Sequence, residues 1–160
     1  MSGPRIALPG STLSRESEEH WIGVADLDQQ VTATIMVRRR ATASSLAEEL
    51  LAGTAPSVSR ENASDIGADP QDVAAVRSFL DANGFKVLLL DAIARTIQFE
   101  GTIQQIDHTF GVRMAWFESA RGERFLSYRG SILIPESLQG IIIALLGLDQ
   151  RPAARRTSFQ

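Results

Sequence analysis

Asp69-Pro70 and Asn83-Gly84 bracket the stretch that most constrains how this chain folds. An Asp at an N-cap accepts a hydrogen bond from the first helical amides, and Pro at the first helical position gives up a donor the helix does not use. Asn-Gly supplies the left-handed stop. Between the two signals Val73, Val76, Phe79 and Leu80 recur at helical spacing. On either side the apolar period falls to two. In residues 29–40, Val31, Ala33, Ile35 and Val37 share one face, while Thr32, Thr34, Met36 and Arg38 share the other. Residues 85–91 read as a strand, paired with 95–100 through Ala92-Ile93-Ala94. Gly101-Thr102 caps a second helix with Ile103, Ile106 and Phe110 on one side and Gly111 as its stop. Residues 112–118 give the next strand.

The order strand, helix, strand, strand, helix, strand predicts an α+β fold of the ferredoxin-like, split β-α-β kind. Right-handed crossovers place both helices on one face of a four-stranded antiparallel sheet. Arg121-Gly122 reads as a hairpin turn, with extended pieces at 125–128 and 132–134. Pro135 is expected to open a final helix carrying Leu138, Ile142 and Leu145. Residues 1–28 read as an irregular arm anchored by Trp21 and Ile22. Residues 41–68 read as a long connection, with weak helical signals at 46–51 and near Ser59. The domain proper is expected over 29–148, followed by an exposed linker tail at 149–160.

With helices on one side, the other side of the sheet is open. Thr96, Gln98 and Glu100 alternate outward as such a face requires. Val87 to Leu90 do not alternate and are apolar on both faces. Met36 joins that outer face, with either Met114 and Trp116 or Ala115 and Phe117. A contiguous apolar patch suits a partner, or self-association; cover by the final helix or by the arm around Trp21 is the competing reading.

The composition, 44% hydrophobic and 22% charged with a net charge of −3, is that of an ordinary globular domain and not of a nucleic-acid binder. Strands without paired stacking aromatics also count against an RNA-binding module. No run approaches the length of a membrane-spanning helix, and residues 1–10 contain no apolar signal-peptide core. Cysteine is absent, which removes thiolate catalysis and sulfur-ligated zinc. His20 and His108 stand alone, and His108 is expected at the surface, facing away from Ile106 and Phe110. Glu18/Glu19 and Glu48/Glu49 are sequence neighbours that point apart on a helix. No phosphate loop, nucleophile elbow or metalloprotease motif occurs, so no catalytic residue and no metal or cofactor site is expected. Two basic clusters remain, Arg38-Arg39-Arg40 and Arg151/Arg155/Arg156. Guanidinium groups suit docking on carboxylates, although each cluster is also what a strand end or a basic tail looks like.

Ala7-Leu8-Pro9-Gly10-Ser11 precedes the strand ending in Val37-Arg38-Arg39-Arg40, and Gly67-Ala68-Asp69-Pro70 opens the first helix. Gly101-Thr102-Ile103, Phe110-Gly111-Val112, Tyr128-Arg129-Gly130, Ile134-Pro135 and Leu146-Gly147-Leu148-Asp149 before Arg151-Pro152 follow, over about residues 5–155. This ordered series of short motifs resembles the activation domains of pro-kumamolisins, the propeptides of sedolisin serine-carboxyl peptidases. The stretch around residues 61–66 is less typical of the family. The resemblance implies a fold similar to subtilisin-type propeptides, acting as intramolecular chaperone and inhibitor of a cognate catalytic domain and released by acid autoprocessing. That domain would supply the catalytic Ser, Glu and Asp and bind calcium; this chain would supply neither. The implied docking face is Met36, Arg38, Leu88, Leu90, Met114 and Trp116. The implied cleft-blocking linker is Arg151, Pro152, Arg155, Arg156, Thr157, Ser158 and Phe159. Secretion is implied by the same resemblance, whereas a free-standing ferredoxin-like binding module, the alternative reading, is expected in the cytoplasm.

Overall fold

The computed structural model describes residues 3–13, 19–40 and 67–151. The expected helical signals at 46–51 and near Ser59 lie outside these residues. In chain order the elements are β1 (Arg5–Ala7), β2 (His20–Val24), β3 (Gln30–Val37), α1 (Pro70–Ala82), β4 (Lys86–Asp91) and β5 (Thr96–Thr102). They continue with α2 (Ile103–Phe110), β6 (Arg113–Glu118), β7 (Arg124–Arg129), β8 (Leu133–Pro135), a 3-10 turn (Glu136–Leu138) and β9 (Ile142–Leu146).

Both helices begin and end where their capping chemistry directs. The Asp69 carboxylate accepts from the Gln71 amide at 2.8 Å, and α1 ends at Asn83 before Gly84, whose φ is 79°. Thr102 and Gln105 close a reciprocal capping box at the start of α2, and Gly111 terminates it at φ 62°.

The larger sheet runs β4-β5-β3-β9. β3 and β4 are each antiparallel to β5, hence parallel to one another, with α1 in the crossover; this is the expected split β-α-β unit. The fourth place departs from expectation. A ferredoxin-like sheet would seat β6 beside β3, yet β9 sits there, with Thr34 opposite Leu146 and Met36 opposite Ala144. β6 joins β2 and β7 in a separate three-stranded sheet. Met114, Ala115, Trp116 and Phe117 make β6 apolar on both faces. In its own sheet β6 is covered on both faces. Met114 packs with Leu126 and Tyr128 in the main core, while Ala115, Phe117 and Phe125 form a second cluster.

The expected final helix is likewise replaced, by one 3-10 turn and then β9. Gly140, at φ 77°, stops the turn, and the β-branched run Ile141-Ile142-Ile143 favours a strand. Residues 1–28 are also less irregular than they read, since β1 pairs with β8 and β2 with β6.

The main core lies between the four-stranded sheet and its helices. Val31, Ala33, Ile35 and Val37 are all buried, as are Ile97 and Phe99 beside them. Val76 and Leu80 of α1 and Ile103, Ile106 and Phe110 of α2 close over that face. Phe85, Phe99 and Phe110 meet with centroids 5.0 to 6.2 Å apart. Gly101 is required there, because a Cβ would lie 2.4 Å from the Phe85 ring.

Candidate partner-binding surface

The face of the four-stranded sheet away from the helices is laid out by register. One row runs Leu89, Gln98, Thr34, Leu146, and the next runs Asp91, Thr96, Met36, Ala144. Leu89 is 61% exposed and Leu146 51%. The surface therefore mixes apolar Leu89, Met36, Ala144 and Leu146 with hydrogen-bonding Thr34, Thr96 and Gln98 and the edge carboxylate of Asp91. Neither segment expected to cover this face does so: the final helix is the sheet's own β9, and Trp21 belongs to the other sheet.

The residues expected to dock a partner scatter. Met36 lies on the outer face, half-buried between Thr96 and Ala144. Leu88 sits exposed at a bulge between Val87 and Leu89. That bulge shifts the alternation, so Leu90 falls opposite buried Ile97 and packs against the core instead of facing outward. Met114 is buried in the main core opposite Tyr128, and Trp116 packs half-buried against the same core, both in the other sheet. The outer face also carries Leu89, already read as part of an apolar run, and Ala144 and Leu146, which the sequence assigned to a helix. No local signal marks the bulge, and β9 reads equally as a buried helix segment.

Arg38 also turns away from its expected use. Its guanidinium donates to both carboxylate oxygens of Asp72 on α1, at 2.8 and 3.2 Å. These hydrogen bonds, and then the Asp72 charge, hold Arg38 above its ordinary pKa. Arg151 is paired too, 3.1 Å from Glu19, whose side chain is 2% exposed, and it lies over the Phe125 ring. The residues before it are seated on β7: the Gln150 amide donates to the Leu126 carbonyl, and Asp149 accepts from the Ser127 hydroxyl. The linker positions Pro152, Arg155, Arg156, Thr157, Ser158 and Phe159 lie outside the described residues.

His108 is exposed, as expected. Its neighbour Asp107 accepts from the Met114 amide at 2.9 Å; burial pushes its pKa up, against the pull of that hydrogen bond and of Arg113. Among the described residues no three His, Asp or Glu gather as a metal site, and no helix is long and apolar enough to cross a membrane.

The pro-kumamolisin activation domain family matches residues 20–151, which takes in the four-stranded and three-stranded sheets and both helices. Kumamolisin from Bacillus sp. (strain MN-32) is 32% identical over 134 residues, covering 80% of this chain and 24% of that protein. The chain thus spans about a quarter of the length of the relative it matches. The chain belongs to the pro-kumamolisin activation domain family.

Proposed function

We propose that this domain is the propeptide of a sedolisin-like serine-carboxyl peptidase, which it helps to fold and then holds inactive until acid processing removes it. The observation that carries the reading is the family match over residues 20–151. The outer sheet face supplies the means. Leu89, Met36 and Leu146 bring apolar contact, and Thr34, Thr96 and Gln98 bring hydrogen-bonding groups. Burying one such leucine is worth about 1.5–3 kcal/mol before the costs of association. Binding only the folded peptidase stabilises it by mass action, by about 2.7 kcal/mol at a concentration 100 times Kd.

Residues 149–151 are pinned to β7, and on this reading the segment that follows them is the one that blocks the partner's cleft. Arg38 and Arg151 act within this role by joining parts of the domain, through Asp72 and Glu19, and not by reaching partner carboxylates. Calcium, on this reading, belongs to the catalytic domain alone.

The test is refolding of a kumamolisin-type catalytic domain, stripped of its own activation segment, with and without this chain. Active enzyme should recover in higher yield with the chain present, and the folded enzyme should be inhibited saturably, more weakly at pH 4 than at pH 7. Unchanged yield together with absent inhibition at both pH values refutes the assignment.

A further inference from the structure

The three-stranded sheet runs β2-β6-β7, and its two edges differ. The edge of β7 is occupied at Leu126, whose carbonyl accepts from Gln150. The outer edge of β2 has no strand beside it among the described residues. An open edge strand is a template for another extended chain. On this edge Trp21 is 46% exposed and Val24 78% exposed, beside a cavity of about 530 Å³ whose lining includes Met114 and Ala115.

The same cavity is bordered by Arg113 and Arg129, which stand opposite each other on β6 and β7. Both are exposed, and neither forms an ion pair among the described residues. Arg129 lies 5.7 Å over the Phe117 ring, and Arg113 is felt electrostatically by Asp107, whose carboxylate is engaged with the Met114 amide. The face thus offers an apolar slot bordered by two guanidinium groups, in a chain whose net charge is −3.

We propose that this edge binds an extended acidic peptide segment, which adds a strand to β2, places an apolar side chain in the slot beside Trp21 and sets its carboxylates against Arg113 and Arg129. A second copy of this chain fits less well, because pairing through β2 brings the arginines of both copies onto one continuous sheet. The site lies on the sheet that does not carry the outer face described above, and the inference is independent of the peptidase reading.

The probe is a fluorescein-labelled peptide of alternating Leu and Glu, titrated against the full chain by anisotropy, beside a Leu/Lys peptide of equal length. Saturable binding of the Glu peptide alone is expected, weakening with added salt. Arg113→Glu with Arg129→Glu should weaken it roughly ten-fold or more while circular dichroism shows the fold retained. Trp21→Ser removes the apolar contact and should weaken it as well. Equal binding of the two peptides, indifference to the charge reversals, no binding at all, or a Trp21-dependent dimer in sedimentation would each overturn the proposal.

Discussion

The four-stranded sheet buries side chains on one side, whereas the three-stranded sheet buries them on both. β3 alternates buried Val31, Ala33, Ile35 and Val37 with Thr32, Thr34 and Met36, and all of the buried set serves one core. β6 and β7 instead send Met114, Leu126 and Tyr128 to that core and Phe117 and Phe125 to a smaller cluster behind it. The smaller cluster has arginines against its rings, Arg129 over Phe117 and Arg151 over Phe125. One sheet therefore builds a deep core and leaves a broad open face. The other fastens the chain's segments together and leaves an edge.

The comparison can be broken at its centre. Phe99→Ala removes a fully buried ring packed against Phe85 and Phe110, and should cost about 4 kcal/mol in urea unfolding. Phe117→Ala, in the cluster backed by arginine side chains, should cost less, about 2–3 kcal/mol, because those chains can settle into the space. Equal losses would mean that the second cluster is as rigid as the first. Asp107→Ala takes the partner from the buried Met114 amide where β6 begins, and should cost about 1–2 kcal/mol. Asp72→Asn turns a charged two-point contact with Arg38 into a neutral one, and should cost about 1 kcal/mol, since Arg38 is half exposed.

The smallest effect carries a sign. The pKa of Asp107 is raised in the folded protein, so its ionised form opposes folding above that pKa and no longer does so once pH falls below the unfolded value. Asp107→Asn keeps an acceptor for the Met114 amide without the charge. It should match or slightly exceed the natural protein in stability at pH 7, and the difference should shrink toward pH 3. A variant less stable at pH 7 by more than its deficit at pH 3 would contradict this.

What was legible in the sequence was what neighbours decide. The ends of α1 and α2 depend on Asp69, Pro70, Thr102 and the glycines after each helix, all within a few residues of what they cap. The alternation of β3 and β5 needs only period two. The remainder depends on residues far apart. Whether β6 or β9 completes the larger sheet is a competition for cover, decided by side chains elsewhere in the fold. Ile141 to Leu146 is apolar throughout and carries no period to separate helix from strand. Arg38 finds Asp72 across 34 positions, and the bulge at Leu88 that turns Leu90 inward leaves no mark in the composition of β4. The residues expected to share one face are therefore divided, Met36 on the four-stranded sheet and Met114 and Trp116 on the three-stranded one.

The central claim is that the four-stranded sheet, and not its neighbour, grips the peptidase. Calorimetric titration of a kumamolisin-type catalytic domain with Met36→Glu/Leu146→Glu, and separately with Trp21→Glu, compares the two surfaces directly. The account predicts affinity about 100-fold weaker for the double variant, which puts two charges on the outer face, and affinity within about two-fold of the natural chain for Trp21→Glu. The reverse order would contradict it.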